Sequence, residues 1–156
     1  MIKDKILIGA LIGLLADVLK LITNYILYSL GYTKVVFWQI VATLFLHKEY
    51  LYDTSAYFIG GVADIIFTSL LGVIFVHVIY LWGSKYLWIK GLAYGLVVWV
   101  GAFGLLISRI AEEKLPQSPN GVVVTIIAHI VFGLSLAYFT RAFKQDRVIP
   151  VIKYKQ

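Results

Sequence analysis

Residues 56–82 read AYFIGGVADIIFTSLLGVIFVHVIYLW, an apolar run with a single carboxylate, Asp64. A helix needs about 20 apolar residues to cross the hydrocarbon core of a bilayer, so this run is long enough to span it. Three other runs have the same character, and the predicted transmembrane helices are residues 6–30, 56–82, 86–110 and 121–143. We therefore expect an all-α membrane protein, a single domain with four transmembrane helices.

The composition indicates a lipid environment. Hydrophobic residues make up 61% of the 156 residues, and the mean hydropathy is +0.89. A soluble domain contains roughly 45–50% apolar residues. The chain has no cysteine, which excludes disulfides, thiolate metal ligands and thiol catalysis. In a membrane protein the net charge of +6 governs orientation and contact with anionic lipid, so we expect membrane lipid and not nucleic acid as a partner.

The connection between the first two predicted helices is half apolar. Residues 35–46 read VVFWQIVATLFL and lie between Lys34 and Lys48. This stretch is too short for a fifth span, and it predicts an interfacial or partly re-entrant helix. The sequence leaves open whether residues 35–47 enter the membrane.

Basic residues are distributed unequally between the two ends of the predicted bundle. The end that holds both termini carries Lys3, Lys5, Lys85, Lys90, Arg141, Lys144, Arg147, Lys153 and Lys155, and the other end carries Lys34, Lys48, Arg109 and Lys114. Cytoplasmic loops carry the excess of Lys and Arg, so we expect a multi-pass protein of the cell membrane with both termini in the cytoplasm. The basic tail, residues 144–156, predicts contact with anionic lipid or, alternatively, docking of a partner protein.

Each predicted helix carries one stripe of small and polar residues at i+3 and i+4 spacing, which places them on one helix face. The stripes are Gly9, Gly13, Asp17, Lys20 and Asn24; Gly60, Asp64, Thr68 and Gly72; Gly91, Gly95 and Trp99; and Thr125, His129, Gly133 and Ala137. Small residues allow the backbones of neighbouring helices to approach closely. We therefore expect the glycines of these stripes to pack helix against helix.

Two aspartates, Asp17 and Asp64, each end a Gly-x-x-x-Asp step inside an apolar run. A carboxylate at bilayer depth costs several kcal/mol, so it is usually paired, faces the protein interior and is functional by default. Asp17 can pair with Lys20 on its own helix, whereas Asp64 needs His129 or Lys20 from across the bundle. At about 1.5 Å per residue, these groups and Trp99 fall near one level, just outward of the midplane.

The predicted ion-binding layer therefore comprises Asp17, Lys20, Asn24, Asp64, Thr68, Trp99 and His129. The leading interpretation is a small channel-like or transporter-like protein that handles a cation or a proton. Asp17 and Asp64 would bind the cation or proton, His129 would relay or gate, and Lys20 would tune the charge. Four helices leave little room for an internal pathway, which favours a homo-oligomer.

Two other interpretations remain open. In the first, the protein is a non-catalytic scaffold or accessory subunit, and the polar layer only fixes the register of the helices. In the second, it is a lipid-binding protein that uses the segment between the first two helices.

The motifs of common enzymes do not occur in this sequence. It lacks a glycine-rich phosphate loop, a His-Glu-x-x-His zinc motif and a Gly-x-Ser-x-Gly nucleophile elbow, so we expect neither an enzyme nor a cofactor. Asp17, Asp64 and His129 could hold a metal in principle, but they show no spacing typical of a metal site. His77 lies near the opposite end from His129, which disfavours a haem ligated by both.

Several of these motifs resemble a family of small bacterial integral membrane proteins with four spans. They are the Gly13–Asp17 step followed by Lys20 and Asn24, the pair Phe37-Trp38, the step Gly61-Val62-Ala63-Asp64, and Lys90-Gly91-Leu92 followed by Gly95. The similarity covers nearly all of residues 3–143. It implies the four-span topology and, because the family has no established activity, no particular function.

Overall fold

Helices account for almost all of the regular structure. The computed structural model describes residues 4–107 and 118–144. Its elements are α1 (Lys5–Ser29), α2 (Phe37–Ala42), a 3₁₀ turn (Lys48–Tyr50), α3 (Thr54–Trp82), α4 (Leu87–Trp99), a π-helical continuation of α4 (Val100–Ile107), and α5 (Pro119–Lys144). No strand occurs in these two ranges, which confirms the all-α prediction. Residues 108–110 of the third predicted span and residues 145–156 of the basic tail lie outside the described residues.

Within residues 4–107 and 118–144, four helices are long and apolar enough to cross a membrane, as predicted. They are Lys5–Ser29, Thr54–Trp82, Leu87–Leu105 and Pro119–Phe143. Large apolar side chains cover the outer surface of this bundle; Phe58, for example, is 73% exposed and Val97 is 69% exposed. Soluble proteins rarely expose a continuous apolar surface of this kind.

Local hydrogen bonds explain where the long helices begin and end. Asp4 accepts a hydrogen bond from the backbone N–H of Ile6, 2.8 Å away, and so caps α1. Ser118 caps α5 in the same way, because its hydroxyl oxygen accepts a hydrogen bond from the backbone N–H of Gly121 at 3.1 Å. At the C-terminus of α3, the Lys90 ammonium donates to the carbonyl oxygen of Gly83 at 2.8 Å.

Helix α1 is the centre of the packing. It lies against α3 on one side and against α5 on the other, and α4 packs on the far side of α5. Within the described residues, α3 and α4 make almost no direct backbone contact although they are consecutive. Besides Lys90, Tyr94 joins them: its hydroxyl donates to the carbonyl oxygen of Leu71 at 2.8 Å, and its ring lies 5.1 Å from that of Phe75.

Glycine pairs make two close helix crossings. At Gly72 on α3, an added Cβ would lie 2.5 Å from the backbone Cα and N atoms of Gly13 on α1. At Gly133 on α5, it would lie 3.0 Å from the backbone N of Gly95 on α4. Glycines of the four stripes therefore lie at these two crossings, where these surfaces are not free for contact with a second copy. Gly60 packs differently, since it adjoins the backbone of Trp38 on α2.

The segment after α1 turns back along the bundle before α2 begins. The backbone N–H of Phe37 donates to the side-chain oxygen of Asn24 at 2.9 Å, so α2 starts beside the penultimate turn of α1 and not beyond its end. Gln39 continues this anchoring, because its side-chain nitrogen donates to the carbonyl oxygen of Leu51 at 3.0 Å. The short helix and the residues up to Leu46 are held against α3, and they form one wall of the site described below.

Candidate functional site

Lys20 is at the centre of a buried cluster of charges. Its ammonium nitrogen lies 2.7 Å from Oδ1 of Asp17 and 2.7 Å from Oδ1 of Asp64. The side chains of all three residues are at most 3% exposed. The contact with Asp64 has hydrogen-bond geometry, whereas the contact with Asp17 is an ion pair without it. Of the two partners that the sequence left open for Asp64, the structure shows Lys20.

An aromatic ring occupies the remaining side of the ammonium. The nitrogen of Lys20 lies 4.0 Å from the centre of the Phe37 ring and 5.7 Å from that of Phe132. Both distances are within the range of about 6 Å over which a cation is attracted to a ring face. The ammonium is therefore surrounded by two carboxylates and these rings.

His129 faces the same region from α5. Its Nδ1 lies 2.8 Å from the carbonyl oxygen of Thr125, and because a carbonyl can only accept, this nitrogen carries the hydrogen. In the neutral ring Nε2 is then an acceptor. The imidazole lies between Phe37, with ring centres 5.7 Å apart, and Phe103, with ring centres 5.6 Å apart.

A cavity of about 210 Å³ adjoins the cluster. Lys20, Asp64, Thr68 and His129 line it on the polar side, and all other lining side chains are apolar. Residues from α2, from the chain up to Phe45, from α3 and from α4 form its walls. Phe45 and Phe67 line it and are also 61% and 41% exposed, so the cavity opens to the side of the bundle.

The charges of the cluster do not balance. Two carboxylates share one ammonium, so the cluster carries one negative charge when both acids are ionised and His129 is neutral. Oδ2 of Asp64 is buried and has no hydrogen-bond partner. A buried charge without compensation is costly, and this arrangement favours the arrival of one positive charge or one proton.

The other predicted layer residues have structural contacts of their own. Thr68 lines the cavity and donates to the carbonyl oxygen of Asp64 at 2.7 Å. Trp99 does not line it; its indole nitrogen donates to the Thr125 hydroxyl at 3.0 Å and ties α4 to α5. Asn24 fixes the start of α2, as described above.

The two remaining histidines lie apart from the cluster. His77 is exposed, and its Nδ1 lies 2.8 Å from the carbonyl oxygen of Val73 in the preceding turn of α3. His47 is exposed in the connection between α2 and α3. Among the described residues, no group of three or more His, Cys, Asp or Glu side chains could hold a metal ion.

Sequence reasoning missed the aromatic residues of the site. Phe37, Phe103 and Phe132 surround Lys20 and His129, yet they were not among the predicted site residues. One signal for Phe132 was available, because it follows His129 by three residues and so shares its helix face. Phe37 had no such signal, since its position depends on how far the segment after α1 turns back.

Comparison of the chain with protein-family models, curated proteins and solved structures gives no match. The resemblance to a four-span bacterial family stays a prediction.

Proposed function

We propose that this is a multi-pass protein of the cell membrane that binds and transfers one positive charge, a proton or a cation. The four long apolar helices support the membrane location. The observation that carries the function is the shared ammonium: Lys20 contacts both Asp17 and Asp64, and the second oxygen of Asp64 has no partner.

The roles of the residues follow from their positions. Asp64 is the acceptor of the incoming charge, because it lines the cavity and keeps one free oxygen. Lys20 and Asp17 hold that carboxylate in place and set the total charge. His129 lines the same cavity, and its Nε2 relays a proton to or from Asp64.

A flux measurement in reconstituted vesicles tests this function. Under an imposed proton, sodium or potassium gradient, the wild-type protein should dissipate at least one of them faster than empty vesicles do. Asp64→Asn should abolish the flux, since it removes the negative charge while Lys20 keeps Asp17 as its partner. The resulting cluster is neutral, so the variant should still fold.

Asp53→Asn is the matched control, because Asp53 is exposed at the start of α3 and lies outside the cluster. It should conduct as the wild type does. Equal flux in Asp64→Asn and the wild type would overturn the proposed site. Wild-type vesicles that leak no faster than empty ones would leave the cluster with the structural role of fixing helix register.

A further inference from the structure

The proposed function leaves the identity of the cation open, and the apolar cavity beside the cluster favours a cation other than a bare inorganic ion. Sites that bind such ions replace the hydration shell with several oxygen atoms. Here the walls are formed by side chains such as Val41, Leu44, Val98 and Ala102. A ligand that fits this cavity must therefore be largely apolar and carry one polar group.

The polar end of the cavity offers acceptors. Oδ2 of Asp64 has no hydrogen-bond partner, and Nε2 of the neutral His129 ring is an acceptor. The ammonium of Lys20 faces Asp17, Asp64 and the Phe37 ring. A ligand with an anionic head, such as a phosphate, would therefore meet two acceptors and a net negative charge. A purely apolar chain would leave Oδ2 of Asp64 without a partner.

Aromatic rings are concentrated at this end. Phe37, Phe103 and Phe132 all line the cavity, and the rings of Phe37 and Phe103 lie beside that of His129. Ring faces attract cations, and the attraction grows when water is excluded. Negative charge, acceptors and rings together favour a cation that carries apolar groups.

We propose that the cavity binds a small organic cation, an ammonium with aliphatic or aromatic substituents, in exchange for a proton. This rests on the proposed function: without the ligand one proton neutralises the cluster, and when the ammonium binds it supplies that positive charge and the proton leaves. The cavity volume of about 210 Å³ lies below the roughly 300–1,000 Å³ of most drug-sized sites, so the ligand is small.

The ligand reaches the cavity from the side of the bundle. Helices α3 and α4 make almost no backbone contact in their described parts, and the exposed rings of Phe45 and Phe67 border the opening. In a bilayer this opening faces the lipid. An apolar cation therefore partitions into the membrane first and enters between the two helices.

The titratable and charged groups around the cavity are few. From α1 they are Asp17 and Lys20, from α3 Asp64, and from α5 His129. The lining residues that α2 and α4 contribute, within the part of the chain that is described, are uncharged. The proton that the ammonium displaces thus comes from the acids or the imidazole of this one group.

Binding of benzyltrimethylammonium to the full chain in lipid nanodiscs tests the proposal. This quaternary ammonium cannot carry a proton, so any proton that appears in a weakly buffered medium comes from the protein. Equilibrium dialysis of the labelled cation should show saturable binding that empty nanodiscs lack, with proton release in proportion to it. Phenylmethanesulfonate, an anion of similar size, should not compete.

Two substitutions, one on α4 and one on its π-helical continuation, test whether the cation binds in the cavity or on the outer surface. Ala102 lines the cavity, and Ala102→Phe should reduce binding about tenfold or more because the added ring fills the space. Ala93 is exposed on the same helix, and Ala93→Phe should bind as the wild type does. Asp64→Asn should weaken binding about tenfold or more, because it removes the opposite charge.

The outcomes separate this proposal from the proposed function. If the wild type dissipates a gradient but binds no benzyltrimethylammonium, the ligand class is wrong and the charge-binding site stands. Equal binding by Ala102→Phe and the wild type, or effective competition by phenylmethanesulfonate, would overturn the cavity as the site. Binding without proton release would overturn the exchange.

Discussion

Lys20 holds two carboxylates that belong to different helices, and its removal should therefore affect the stability of the whole bundle. In Lys20→Met, Asp17 and Asp64 would face each other without a counter-charge. Breaking a buried ion pair by removing one partner costs about 3–5 kcal/mol. We expect a clearly lower unfolding temperature in detergent, measured by circular dichroism.

Two further variants make this measurement specific. Lys34→Met changes an exposed lysine and should leave the unfolding temperature unchanged. Asp17→Asn combined with Lys20→Met leaves one carboxylate and not two, so it should recover part of the loss. If Lys20→Met melts with the wild type, the ammonium does not hold the cluster together.

For individual residues, the sequence predicted which side chains belong to the charged cluster but not which of them pair with each other. Asp17, Lys20, Asp64 and His129 could be found because polar residues are rare in apolar helices and their depths could be estimated. Whether Asp64 pairs with His129 or Lys20 depends on helix rotation, which periodicity alone does not determine. Trp99 was predicted to belong to the layer, yet its indole donates to the Thr125 hydroxyl and does not line the cavity.

Among the helices, the crossing of α1 and α3 depends on the absence of side chains. The Cβ of Gly72→Ala would lie 2.5 Å from backbone atoms of Gly13, which cannot move aside as a flexible side chain can. Overpacking of this kind costs about 1–3 kcal/mol. We expect a lower unfolding temperature for Gly72→Ala. Gly101→Ala is the control, because its new methyl group meets no atom within 4 Å, and an equal loss in both variants would contradict the crossing.

The placement of α2 depends on one side chain of α1. Asn24→Leu removes the acceptor of the Phe37 backbone N–H, and a buried donor without a partner costs about 1–3 kcal/mol. Amide hydrogen exchange across residues 37–42 should become about tenfold faster or more, since the segment opens more often. Thr23→Ala is the neighbouring control, because the Thr23 hydroxyl donates to the carbonyl oxygen of Leu19 within α1. Unchanged exchange in Asn24→Leu would show that other contacts hold α2.

The four long helices were predictable from the sequence, whereas the position of α2 was not. An apolar run that is long enough to cross a bilayer rarely forms anything other than a long apolar helix. The short run after α1 is held in place by contacts with Asn24, Gly60 and Leu51, which lie far apart in sequence. The cavity could not be foreseen either, because this segment forms one of its walls.

For the molecule as a whole, orientation in the membrane is the prediction to test first. The chain contains no cysteine, so single cysteines can be introduced without interference. Lys85 and Tyr52 are exposed at opposite ends of the bundle. On intact cells an impermeant maleimide should label Tyr52→Cys and should reach Lys85→Cys only after lysis. The reverse pattern would place the termini outside.

The π-helical turns from Val100 to Ile107 affect how many residues this part of the chain can hold. A π turn holds about one residue more than an α turn, so these turns accommodate a residue that a regular α-helix of the same length would not. Loss of one residue ahead of Phe103 would let the α-helical ladder run on and would leave the ring on nearly the same helix face, beside the imidazole of His129. Proteins that share this site should therefore tolerate a spacing between Gly95 and Phe103 that is one residue shorter, with regular α-helix in place of the π turns.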